Sequence, residues 1–384
     1  MASIQAGNAE AMPQSVSTPP ATGLPPPWRV PLLVLGFLGL VVGAGAGLAR
    51  LGWGVPELAA SAAALHGPLM ICGFFGVVIS LERAVAIGRY WAYLGPLLAG
   101  IGSATTVFGA SALAPWFFLG GGLVLLAASL DVFRRQTALF TFTLALGAAC
   151  WPAGVALWAA GASVHEVVGW WLAFLILTIA GERLELSRFL PPSPTATRVF
   201  AVILGVILAG LAAAALPWGM PLFAAGLLAL AGWLLRQDIA RRTVRNKGLT
   251  RFIAVCLLSG YGWLAAGSAV ALWAGGLVPG TPSYDAALHA LTLGFVFSMV
   301  FGHAAIIFPA VLRVAVPYHP VFYLPLVLLH LSLLVRIAGD ATGRYDWTQA
   351  GGMLNAVALA AFIATMVSAV IRGALGGTAA KRVS

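Results

Sequence analysis

The chain alternates between long apolar runs and short polar or basic breaks. The runs fall near 31–50, 57–82, 91–111, 114–133, 137–160, 164–187, 199–216, 219–235, 252–275, 285–313, 321–338 and 348–372. A bilayer core of ~30 Å takes roughly 20 residues of helix, whereas a barrel strand takes only ~9–11. Backbone groups in lipid must also find their partners within the segment or in a closed barrel. The pattern predicts an all-α, polytopic membrane bundle of about twelve transmembrane helices. Pro217, Trp218 and Gly219 predict a tight turn between the seventh and eighth runs. Gly120, Gly121 and Gly122 mark a place where the fourth run could unwind.

Composition agrees with this reading. Of 384 residues, 61% are hydrophobic and 8% charged, against roughly 25% charged in soluble domains. Mean hydropathy is +0.97. Such a chain could not cover a globular surface in water. A net charge of +10 would suggest nucleic acid in a soluble protein. Here the basic residues lie between apolar runs, so they read as topology signals facing a lipid bilayer, with no nucleic-acid partner. If the runs alternate in direction, all of the 21 Lys and Arg except Arg50, Arg336 and Arg344 lie at one end of the bundle. The positive-inside rule makes that end cytoplasmic and places both termini there. Residues 1–28 have no Lys or Arg and are rich in Pro, Ser and Ala, so they read as a disordered cytoplasmic tail. The membrane domain is then 29–375, with a second tail over 376–384. Cys72, Cys150 and Cys256 lie far apart inside apolar runs and read as packing residues. Trp53, Trp116, Trp170, Trp171 and Trp273 lie near the outer end, where an interfacial aromatic belt is expected.

Ionisable groups inside a membrane are costly, which makes each a functional candidate. His66, His165 and His289 lie near the outer ends of the second, sixth and tenth runs, four runs apart. Arg83, Arg183 and Arg313 follow near the opposite ends, two of them in the Glu82-Arg83 and Glu182-Arg183 pairs. This is a weak repeat, three units of four helices, with the imidazoles at similar depth. Imidazole suits haem iron, copper and zinc, so His66, His165, His289 and His303 are candidate metal ligands. His66 and His289 are the pair for a haem held between two helices. Met70, four residues after His66, reads as a core methionine or a soft ligand. Glu166 could orient an imidazole or take up a proton. An ideal helix places His303 about 21 Å deeper than His289 and about 40° around from it, too far to share a metal.

Two segments resemble the NnrS family. LHALTLGFVFSMVFGHAAIIFPAVLRV (288–314) is similar to a helix that pairs an HALTVG-like start with a later Gly-His. LHGPLMICGFFG (65–76) is similar to that family's HAHEMxFGF-like segment, and LTIAGERLELSRF (177–189) is loosely similar to its Gly-Arg stretch. The resemblance implies a twelve-helix protein of the bacterial cytoplasmic membrane that carries haem of b type, and copper, and is linked to denitrification and nitrosative stress. Nitric oxide or a quinol would be its small ligand, and any turnover would be of oxidoreductase type. Pro68 stands where the family has a second histidine and Leu69 where it has an acid, which weakens the copper expectation. A more distant likeness is to subunit I of haem-copper oxidases, with twelve helices in three arcs of four. That family's adjacent His pair has no counterpart in 199–216, so an oxygen-reducing binuclear centre is not expected. The rival expectations are a proton-coupled secondary transporter and a membrane assembly factor for haem or copper.

Overall fold

The structure is a computed structural model and describes residues 23–187 and 193–383. Among these residues there is no strand, as the all-α reading expects. Twelve principal helices follow in order: α1 Pro26–Arg50, α2 Ala63–Ile87, α3 Leu94–Val107, α4 Ala114–Arg135, α5 Leu139–Ala159 and α6 Val164–Ser187, then α7 Pro194–Ala212, α8 Gly219–Gln237, α9 Gly248–Trp273, α10 Pro282–Leu312, α11 Tyr323–Thr342 and α12 Tyr345–Val383. Eleven are long and apolar enough to cross a membrane; α3 is not. Its 14 residues reach about 21 Å at 1.5 Å per residue, short of the ~30 Å hydrocarbon core. A 3-10 turn at Tyr90–Tyr93 lengthens it at its start.

The termini depart from the sequence reading. Of the expected 1–28 tail, residues 1–22 lie outside the described residues. Pro26–Trp28 already belong to α1, where Pro26 and Pro27 occupy the first helical positions and lose no hydrogen bond there. At the other end α12 continues to Val383 without a break at 376.

The centre of the bundle is α6. Val167, Trp171, Leu172, Ala173, Phe174, Leu175 and Ile176 are all fully buried, which is how a helix that is apolar all round is stabilised. Trp171 is therefore a core residue, whereas Trp116 and Trp273 are exposed, 61% and 84%. The Gly120–Gly122 run does not unwind α4, which is continuous. A Cβ on Gly121 would stand 3.0 Å from the Gly95 carbonyl oxygen, and one on Gly122 3.0 Å from Pro152. These glycines let backbones approach, the usual source of helix association in lipid. The Pro217–Gly219 turn forms, and Gly219 is already the first residue of α8.

Two helices carry π-helical turns. In α2 the π segment is Leu69–Phe75, and in α10 it is Ala290–Phe297. Each begins within three residues of a candidate histidine, His66 or His289. The segments meet through aromatic rings. Phe74 stacks on Phe297 with centroids 6.0 Å apart, and Phe75 meets Phe297 edge-on at 5.1 Å.

Candidate functional site

Just outside this aromatic layer, away from the basic end, lies a cavity of ≈ 300 Å³. Its walls include His66 from α2, His165 from α6, His289 from α10, Arg336 from α11 and Asn355 from α12. Phe75, Leu293 and Phe297 form its apolar floor, and Arg50 lies at its rim. Three histidines far apart in sequence thus reach one space.

The imidazoles are held differently, and their partners fix their tautomers. His66 Nδ1 lies 2.7 Å from the Gly43 carbonyl oxygen. His289 Nδ1 lies 2.8 Å from the Asp285 carbonyl and 3.2 Å from its carboxylate. A carbonyl only accepts, so both rings donate from Nδ1, which leaves the Nε2 lone pair free. Neither Nε2 has a hydrogen-bond partner among the described residues. This is the arrangement in which a carbonyl or carboxylate orients a metal-binding imidazole. The His66 ring also lies against α1, where a Cβ on Gly47 would stand 2.8 Å from it.

The other histidines are engaged. His165 is exposed and its Nδ1 lies 2.9 Å from the Tyr284 hydroxyl. His303 does not reach the cavity. Its Nδ1 donates to the Met299 carbonyl at 2.7 Å, and its Nε2 accepts from Arg183 at 3.0 Å. With that lone pair taken, His303 does not serve as a metal ligand in this arrangement, contrary to the sequence expectation. His330 lies between helices: the Trp263 indole donates to its Nδ1 at 2.9 Å, and its Nε2 donates to Ser259 Oγ at 3.0 Å. Among the described residues Glu166 orients no imidazole. Its carboxylate accepts from the Ser163 backbone N–H at 2.7 Å and caps α6.

Sequence reading missed the charged pair beside the cavity. Arg336 donates to Asp285 through Nε at 2.7 Å and Nη2 at 2.8 Å, with its own side chain 9% exposed. Asp285 thereby links Arg336 to His289. An arginine inside an apolar helix was the available signal, but Arg336 was read only for topology. Met70 lines the cavity beside His66. Among the described residues no three or more His, Cys, Asp or Glu side chains converge as a metal-holding group.

Residues 29–371 match a family described as a domain of unknown function, DUF8744. The chain belongs to that family. No curated protein matches it. The DUF8744 match covers nearly all of the bundle, from the start of α1 into α12, and so includes every residue around the cavity.

Proposed function

We propose that this DUF8744 protein is a haem-binding redox protein of the bacterial cytoplasmic membrane, similar to the NnrS family, with His66 and His289 as the axial ligands of a b-type haem. The observation that carries the reading is the pair of oriented imidazoles on α2 and α10, each with a free Nε2, at one cavity. Two imidazoles suffice for a haem, whereas a closed copper or zinc site asks for three or four protein ligands. Haem is therefore favoured over copper.

The cavity also matches haem in polarity. Haem has an anionic propionate edge and an apolar opposite edge. Arg50 lies at the rim, with no hydrogen-bond partner among the described residues, and Arg336 lies beside it. The floor is aromatic, and an apolar fissure of ≈ 70 Å³ adjoins it through the shared residues Phe297 and Leu359. At ≈ 300 Å³ the cavity is at the small end of the ~300–1,000 Å³ typical of ligand sites, so a haem would need this fissure for its apolar edge. When bound, haem would supply a redox-active iron able to bind a diatomic ligand such as nitric oxide. The chain's own residues hold the imidazoles in register and exclude water from the apolar side.

The test is an optical spectrum and metal analysis of detergent-purified protein. A Soret band with haem iron, lost in both His66→Ala and His289→Ala but kept in His303→Ala, is expected. A colourless protein that moves solute in liposomes would refute the reading in favour of a transporter. Reversible transfer of haem or copper to a partner would favour the assembly role.

A further inference from the structure

The corner where α7, α8 and α9 meet at the basic end carries a set of cations that the haem reading does not use. Arg198 near the start of α7, Arg236 at the end of α8, and Arg241, Arg242, Arg245 and Lys247 in the loop from α8 to α9 are all exposed. The Trp233 indole donates to the Ala196 carbonyl at 2.9 Å, which holds the start of α7 against the end of α8. None of these cations forms an ion pair among the described residues. Asp238, the acid of the loop, is 5% exposed and already engaged. Its carboxylate accepts from the Tyr261 hydroxyl at 2.7 Å and from the Ala240 backbone N–H at 2.7 Å. Arg135, at the end of α4, behaves differently: it pairs with Asp131 at 2.6 Å, so its charge is compensated on the same helix.

The cations are also held in place. After Asp238 the loop makes one helical turn, Ala240–Thr243. Ala240 is fully buried, and Val244 and Leu249 pack on the core, so the underside of the loop is anchored while its cations stay exposed. Arg241 Nη1 donates to the Arg236 carbonyl at 3.1 Å, which ties the loop back to the end of α8. Beside the cations on the flanking helices, Val199 and Val202 of α7 are 45% and 66% exposed, and Leu235 of α8 is 37% exposed. Such side chains on a membrane helix face lipid tails. A lipid lying against them brings its phosphate to the level of Arg198 and Arg236. A topology signal asks only for a count of basic residues; it needs neither an anchored loop nor neighbouring lipid-facing side chains.

We propose that this corner is a binding surface for anionic phospholipid, with the headgroup phosphate taken up by Arg198, Arg236 and the loop from Arg241 to Lys247, and the acyl chains lying along α7 and α8. The planar donor fork of arginine matches a phosphate, and basic clusters beside a membrane helix attract anionic leaflets. Binding is by ion pairs and hydrogen bonds alone. No residue of α7, α8 or α9 lines the histidine cavity, so the surface does not depend on what that cavity holds.

Native mass spectrometry of the full-length protein in detergent, titrated with phosphatidylglycerol or with phosphatidylcholine, checks this. The wild type should retain phosphatidylglycerol roughly tenfold more tightly. Arg241→Gln combined with Arg242→Gln and Arg245→Gln should abolish the preference, whereas Arg134→Gln combined with Arg135→Gln should leave it intact. Equal retention of the two lipids by the wild type, an unchanged preference in the triple variant, or an equal loss in both variants overturns the proposal. If the triple variant fails to insert, the three single glutamine variants are read instead. At least two of them must then weaken phosphatidylglycerol retention, by about fivefold per charge; fewer counts equally against the surface. Millimolar glycerol 3-phosphate should not displace the lipid. Displacement would make this a site for soluble phosphate and overturn the lipid assignment.

Discussion

The Asp285–Arg336 pair offers a quantitative check on the cavity. Two nearly parallel hydrogen bonds of 2.7 and 2.8 Å join the groups, with side-chain exposures of 30% and 9%. Replacing Arg336 by Met keeps much of the length and apolar volume but leaves the carboxylate without its cation. Breaking a buried pair in this way costs about 3–5 kcal/mol. Asp285 keeps His289 Nδ1 at 3.2 Å, which places the expected loss near the lower limit, about 3 kcal/mol, or roughly a hundredfold in the unfolding equilibrium. Arg344–Asp346 serves as the internal control. It is also a short pair, 2.9 Å, but its side chains are 54% and 63% exposed, so Arg344→Met should cost about 0–1 kcal/mol. Equilibrium unfolding by SDS in mixed micelles measures both. Asp285→Leu combined with Arg336→Met should recover at least half of the loss, because replacing both charges removes the unpaired one. Equal losses for Arg336→Met and Arg344→Met would sink the argument that burial gives the first pair its weight.

Three further outcomes are expected. Gly47→Ala puts a methyl against the His66 ring and should weaken ligand retention in the cavity by about 1–3 kcal/mol, the usual cost of overpacking; titration of the stripped protein checks this, and retention equal to wild type contradicts it. Thr281→Ala removes the oxygen that accepts from the Tyr284 backbone N–H at 3.2 Å and should cost about 1 kcal/mol as a lost helix cap, read by the same SDS unfolding. His330→Ala leaves the Trp263 indole unpaired, while the Ser259 hydroxyl keeps its bond to the Val255 carbonyl, and should cost about 1–3 kcal/mol without changing the optical spectrum; a lost Soret band would instead give His330 a role at the cofactor.

The helical architecture was legible because eleven of the runs fold into helices long and apolar enough to cross a bilayer, whereas the third gives only the 14-residue α3. The meeting of His66, His165 and His289 was legible from their shared depth. What escaped was phase and pairing. Asp285 and Arg336 are 51 residues apart, and no local pattern joins them. Glu166 looked like a second-sphere group because it follows His165, yet it lies in the first turn of α6, where a carboxylate caps the backbone. Trp171 looked interfacial by position but sits on the helix that the bundle surrounds.

The π segments explain the error for His303 and change the phase of the groups that follow them in α2 and α10. A π turn contains one more residue than an α turn, so one residue must be taken out of any count that assumes 100° per step. Fourteen steps from His289 to His303 then give about 140° rather than about 40°, which turns His303 off the cavity face and toward Arg183 on α6. The same correction acts in α2. Sixteen steps from His66 to Glu82 put the glutamate about 160° away on an ideal helix, but about 60° away once the π turn absorbs one residue. Without that turn, α2 would present either the imidazole or the carboxylate to the interior, and the other would lie toward lipid at considerable cost. Hydrogen-bond geometry is poorer in a π turn than in an α turn, so its presence in both α2 and α10 asks for a compensating gain. In α2 that gain is an inward-facing polar group at each end of the helix; in α10 it is the turn of His303 toward Arg183.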